Sequence, residues 1–153
     1  MNASPRRIAL PPDAVIEAAL ARAPFLAWLA ESIRRAMARS AHRRAYAAGA
    51  AVLEQGQHGH CLFVLVSGAV ELTADGGDGP PIRLDTVITP GDFFGEGAVL
   101  GVTLRAASAR AAEDTVLVEI DKAMIERLDK EARAAGGPGQ VRSTLEALAR
   151  VRA

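Results

Sequence analysis

With 153 residues and 16.0 kDa, the chain has material for one domain with a real core, and a 50% apolar share excludes an intrinsically disordered polymer. Eighteen basic and eighteen acidic residues cancel, which excludes a function carried by bulk charge. The cancellation is uneven: residues 1–50 carry a net +5, residues 51–115 a net −6 and residues 116–153 a net +1.

The stretch Met1–Arg7 is charged, but no apolar segment or cleavage site follows it, so it does not read as a secretory signal. Pro11, Pro12 and Asp13 predict a helix start, and Val15, Ile16, Ala19 and Leu20 keep helical spacing behind it. Pro24 is expected to open a second helix on which Leu26, Leu29, Ile33 and Met37 recur every three or four residues. Phe25 and Trp28 widen that stripe, and Glu31, Arg34, Arg35 and Arg39 take the opposite side. Residues 1–45 are therefore expected to form an N-terminal helical segment.

The pattern changes near Tyr46. Short apolar runs follow at Ala51–Leu53, Cys61–Val66, Ala69–Thr73, Ile82–Ile88, Ala107–Ala111 and Thr115–Ile120. Turn signals separate them at Gly56, Gly59, Ser67-Gly68, residues 75–81 and Pro90-Gly91-Asp92. Many short strands at this spacing predict an antiparallel sandwich or barrel over residues 46–120. Val70 and Leu72 alternate with Glu71 and Thr73, as in a strand with one wet face. The longest strongly apolar run, Cys61–Val66, is far too short to span a bilayer. Cys61 is the single cysteine, so no internal disulfide forms and a cytoplasmic setting is expected. Asp121 is a cap for a returning helix bearing Met124, Ile125 and Leu128; residues 136–139 break it. A last helix from about Gln140 carries Val141, Leu145, Leu148 and Val151 in register, which makes residues 121–153 a C-terminal helical segment of one α+β domain.

Arg105 is the most informative residue. A permanently charged planar fork in a run of small and apolar residues suits a phosphate, because little water competes for it. Glu96, nine positions earlier and just after Gly95, supplies an acceptor. Residues Glu96 to Leu100 read as one short helical turn whose unpaired amides and dipole favour an anion. Together these describe a pocket for a small phosphate-bearing sugar.

The segment Phe94-Gly95-Glu96-Gly97-Ala98-Val99-Leu100, followed by Arg105-Ala106-Ala107-Ser108, resembles the phosphate-binding cassette of cyclic nucleotide-binding domains. That family includes catabolite activator proteins, regulatory subunits of protein kinase A and nucleotide-gated channels. Residues 49–56, 62–70 and 90–96 are similar to its framework glycines and strands, so the resemblance spans roughly residues 24–150. It implies a jelly-roll β-barrel flanked by N- and C-terminal helices. It further implies that Glu96 binds the ribose 2′-hydroxyl, that Arg105 binds the cyclic phosphate, and that the amides of Gly95, Ala98, Ala106 and Ala107 add contacts. Members that prefer cGMP often carry a hydroxyl directly after the arginine; Ala106 has none, so cAMP is the expected ligand and cGMP the alternative. Gly97 departs from the family's larger apolar residue and loosens the small helix by about 1 kcal/mol relative to alanine. Gln57 and His58 stand where an acidic residue commonly follows the turn glycine.

Nothing after Asp121 resembles a DNA-reading helix-turn-helix, a kinase, a cyclase or a channel. The expectation is thus a stand-alone, non-catalytic sensor without cofactor, signalling as its flanking helices move and Leu145 or Leu148 closes over the base. Its partners would be the cyclic nucleotide and an unidentified protein effector, or a second copy in a homodimer, with no nucleic acid and no membrane. Two rival readings keep the fold: an interaction module that binds no nucleotide, and a transcription regulator lacking its DNA-binding domain. The run His58-Gly59-His60-Cys61 fits no closed zinc site. Arginines 34, 35, 39, 43 and 44 read as a solvated helix face, and no nucleophile–base–acid set is present.

Overall fold

The computed structural model describes residues 8–137 and 139–152. The reading of Met1–Arg7, Pro138 in the helix-breaking run and the Val151 side chain in the last apolar stripe lie outside the described residues.

Helix α1 (Asp13–Arg22) begins where the prolines place it, with the Val15 and Ile16 amides donating to the Pro12 carbonyl. Ile16, Ala19 and Leu20 are buried, while Val15 stays 45% exposed. The second helix starts later than its periodicity suggests. Residues 24–29 follow successive turns, in which Leu26 and Ala27 donate to the Ala23 carbonyl and Leu29 to that of Leu26. Extended backbone at Ala30 (ψ 141°) then interrupts the path, and helix α2 covers Glu31–Ser40. Packing overrides the 3.6-residue pattern here: Phe25, Leu26 and Leu29 are all buried, and Phe25 meets Phe93 edge-on at 5.0 Å.

Strand β1 (His42–Tyr46) lies almost entirely inside the segment expected to be helical. Its sequence, His-Arg-Arg-Ala-Tyr, lacks apolar alternation; among the described residues it is an edge strand paired with β8, and only Ala45 and Tyr46 pack against the cores. The next strands are β2 (Ala51–Leu53), β3 (Cys61–Ser67), β4 (Val70–Ala74) and β5 (Ile82–Val87). Then follow a two-residue strand β6 (Phe93–Phe94), too short to read from sequence, a 3-10 turn (Glu96–Val99), β7 (Ser108–Ala111) and β8 (Thr115–Asp121). Helices α3 (Lys122–Ala134) and α4 (Val141–Arg152) close the described chain.

Among the described residues all strand pairings are antiparallel and form two four-stranded sheets, ordered β1-β8-β3-β6 and β2-β7-β4-β5. Among the described residues no ladder joins one sheet to the other, so two antiparallel sheets with four helices, rather than a closed barrel, is the architecture the hydrogen bonds define. Phe63, Leu65, Leu117, Val70, Leu72, Val87, Phe94 and Ala109 fill the space between the sheets. On the opposite face of β3 and β8, Leu62, Val64, Val66, Val116, Val118 and Ile120 pack against the helices. Both faces of β3 are thus covered, which is why its sequence is a continuous apolar run, whereas β4 alternates.

Asp121 caps α3, accepting from the Met124 amide at 2.8 Å. The start of α4 is capped from a distance: Asp129 of α3, only 8% exposed, accepts from the Val141 amide (2.6 Å) and the Arg142 amide (3.3 Å). Leu145 is fully buried in the helical core, with Leu148 packed against it.

Candidate ligand-binding site

Gly95 precedes the 3-10 turn with φ at 76°, a left-handed conformation that costs a residue with a Cβ about 1 kcal/mol. That conformation swings the chain out of β6 and sends Glu96 into the turn. The turn is held by Ala98 N–H to the Gly95 carbonyl (3.4 Å), Leu100 N–H to Gly97 (3.1 Å) and Val102 N–H back to Gly97 (2.8 Å).

Arg105 is positioned by backbone before its side chain acts. Its N–H donates to the Gln57 carbonyl and its carbonyl accepts from Gly56, at 2.8 and 2.9 Å, while Gly59 donates to Thr103 at 2.8 Å. This short ladder, with a bridge between His58 and Leu104, ties residues 103–105 to the loop after β2. The guanidinium then donates from Nη1 to the Gly95 carbonyl (3.0 Å) and from Nη2 to the Cys61 carbonyl (2.8 Å). Its Cζ lies 5.6 Å from the Phe63 ring centroid, and Phe63 stacks on Phe94 with centroids 5.1 Å apart. Two of five N–H donors are engaged this way, so a fork with donors to offer is already oriented.

Gly59 makes that seat available. It is buried, and a Cβ there would stand 2.1 Å from Cζ of Arg105. The sequence marked Gly59 only as a turn signal; that its bareness serves Arg105, 46 positions on, is visible only in three dimensions.

The six expected site residues, Gly95, Glu96, Ala98, Arg105, Ala106 and Ala107, all line one cavity of about 580 Å³. Leu72, Phe94, Gly97, Val102, Leu104, Leu84 and Asp85 form the rest of its wall, together with Ala149 of α4. Leu84, Val102 and Leu104 are each more than half exposed, an apolar rim suited to the flat face of a base. From α4 it is Ala149 that reaches the cavity, while Leu145 is in the core. The cavity therefore offers one cation, two carboxylates and an apolar platform.

A second cavity of about 650 Å³ also touches Arg105 and is lined by Cys61, His42, His58, His60, Glu54, Glu119 and Asp121, among others. Burial pushes the Cys61 thiol up from its ordinary value, with the Glu119 charge adding to it and Arg105 opposing. Burial likewise raises the Tyr46 phenol, against the nearby Arg44. Glu119 lies 3.7 Å from Arg44 and 3.8 Å from His42. Among the described residues, no group of three or more His, Cys, Asp or Glu side chains is arranged to hold a metal ion. No helix among them is long and apolar enough to cross a membrane.

Comparison with known proteins places the fold in a family. The family model for the cyclic nucleotide-binding domain matches residues 43–131, more than half of the chain. A cAMP-dependent protein kinase regulatory subunit of Colletotrichum orbiculare is 34% identical over 109 residues, covering 71% of this chain but 27% of that protein. The crystal structure of the Thermus thermophilus catabolite activator protein superposes with a TM-score of 0.72 at 30% identity, covering 85% of this chain and 58% of the other. The regulatory domain of Toxoplasma gondii PKA, solved with cAMP, shares the fold with a TM-score of 0.74 at 23% identity, covering 90% and 49%. The chain thus spans about a quarter of the first relative and about half of each structure. With the cassette, the two sheets and the family match in agreement, the chain belongs to the cyclic nucleotide-binding domain family.

Proposed function

We propose that this domain is a non-catalytic cyclic nucleotide sensor that binds cAMP. The observation that carries the reading is the convergence of Arg105, Glu96 and the small residues of the cassette on one cavity with an apolar rim. In this reading Arg105 clamps the cyclic phosphate and Glu96 accepts from the ribose 2′-hydroxyl. The amides of Gly95, Ala98, Ala106 and Ala107 add donors. Ala106 offers no hydroxyl to a guanine amine, and the names of the relatives, a cAMP-dependent kinase regulatory subunit among them, point to the same ligand. Signalling follows if the bound state favours one placement of α4, since α4 packs against the 3-10 turn and brings Ala149 to the cavity. The output passes to a protein effector or a second copy.

Calorimetric titration with cAMP and cGMP tests the reading, cAMP binding being the expected result. No heat and no thermal shift at millimolar ligand would refute it in favour of an interaction module. Arg105→Ala is expected to weaken binding more than about a hundredfold, the loss typical of removing one partner of a buried charge pair. Wild-type affinity in that variant would remove Arg105 from its assigned role.

A further inference from the structure

Three charged side chains line the nucleotide cavity: Arg105, Glu96 and Asp85. The first two are assigned to phosphate and ribose, and the other lining residues are apolar or glycine. Asp85 is the polar side chain left over, and its place there follows from the register of β5: it lies opposite Leu72 and two residues from Val87, both buried, on the inner face of the sheet. In the β4–β5 ladder Leu72 pairs with Asp85 and Thr73 with Arg83, so Leu84 is an extra residue in β5. An extra residue breaks the alternation of a strand, and the adjacent Leu84 and Asp85 both reach the cavity instead of facing opposite ways. The Asp85 carboxylate is steadied by the Thr86 amide, which donates to Oδ1 at 2.8 Å, and its other oxygen retains acceptor capacity.

Asp85 also stands at the right end. Arg105 lies just before β7, and β5 is two strands from β7 across the sheet, roughly 10 Å at the usual strand spacing. With phosphate at Arg105, the far edge of a purine is the part that extends toward β5. Positions 2 and 6 of a purine flank N1 on opposite sides of the six-membered ring. If position 2 sits near Ala106, position 6 points away from that loop.

Resting on the sensor reading above, we infer that Asp85 is a base-reading residue whose carboxylate accepts from the 6-amino group of adenine and disfavours a 6-oxo purine. A carboxylate is an acceptor only, so adenine offers it a donor where guanine would oppose it with a carbonyl oxygen. Ala106 withholds a contact from guanine, and Asp85 adds a contact for adenine.

The test is a cycle of titrations on wild type, Asp85→Ala and Asp85→Asn with cAMP, cGMP and the cyclic monophosphate of 6-unsubstituted purine riboside. Because Asp85 is exposed, both variants are expected to melt within a few degrees of wild type. Removing the 6-amino group should weaken binding to wild type by about three- to tenfold, the effect of one partly solvated charge-assisted bond. In Asp85→Ala that difference should vanish, and in Asp85→Asn the preference for cAMP over cGMP should shrink by a similar factor. Wild-type ratios in both variants, alongside cAMP binding, would overturn the role of Asp85 and leave the sensor reading standing. Absence of any cyclic nucleotide binding to wild type would remove both.

Discussion

Gly59→Ala removes the seat of Arg105 without changing any residue proposed to touch ligand. A Cβ on Gly59 would lie 2.1 Å from both Cζ and Nε of Arg105 and 2.5 Å from Nη2. Ordinary carbon contact needs about 3.5 Å, so the guanidinium must shift by roughly 1.4 Å. After such a shift the bonds of 3.0 Å to Gly95 and 2.8 Å to Cys61 cannot both persist. Each charge-assisted bond contributes about 1.5–3 kcal/mol when intact, but the half-buried guanidinium regains water when displaced. A net loss of about 1–2 kcal/mol in folding remains, and alanine offsets part of it by stiffening the unfolded chain by about 0.4–1 kcal/mol. The clash falls on the end of a flexible side chain, and the Gly59 backbone is outside the left-handed region, so the fold survives. Under the proposed function affinity suffers more: a fork that clamps phosphate loses its bidentate geometry when moved by more than 1 Å, at a cost of about 2–4 kcal/mol, or roughly 30- to 1,000-fold in Kd. Titration calorimetry with cAMP and thermal melting without ligand read the two effects separately. Wild-type affinity in the folded variant refutes the seat, and unfolding of the variant refutes a clash confined to Arg105.

Asp129→Ala strips α4 of its cap, leaving the Val141 and Arg142 amides without their partner. Urea unfolding should show a loss of about 1–2 kcal/mol; an unchanged midpoint would mean the cap contributes nothing. Stability should also fall in alkali. Burial holds the Cys61 thiol and the Tyr46 phenol above their ordinary values of 9.0 and 10.0, so the folded chain keeps protons that the unfolded chain releases. That contribution is complete below about pH 8 and is lost as pH rises through the raised folded values. Cys61→Ala should flatten the decline in urea melts between about pH 8 and 10.5; a slope equal to wild type would contradict the burial of the thiol.

The candidate site was legible because its chemistry is local. Gly95, Glu96, Ala98 and the residues 105–107 lie within thirteen positions, so a short turn and a returning arginine can be read from the sequence, the amide contacts are what the family resemblance implies, and the left-handed backbone of Gly95 is visible in the structure. The strands with apolar faces were legible for a related reason: burial on one or both faces writes itself into alternation or into a continuous run, as β4 and β3 show. Where packing rather than local preference decides, the sequence misled. The apolar stripe from Leu26 to Met37 reads as one helix, yet the turns that bury Phe25, Leu26 and Leu29 defer the helix to Glu31.

What belonged to tertiary structure alone shares one cause, which is contact between residues far apart in the chain. The polar edge strand β1 exists through its pairing with β8. Gly59 matters for the side chain of a residue 46 positions later, and Asp129 caps a helix other than its own. Asp85 reaches the cavity because long-range pairing sets it opposite Leu72, and a bulge in that register brings its neighbour Leu84 there as well. The sequence alone determined the cassette-like run from Gly95 to Ala107 and the sheet-forming pattern, since both are written in neighbouring residues. The tertiary structure decided how Arg105 is seated, which helix residue meets the cavity and which carboxylate faces its far end, since only long-range packing brings those groups together.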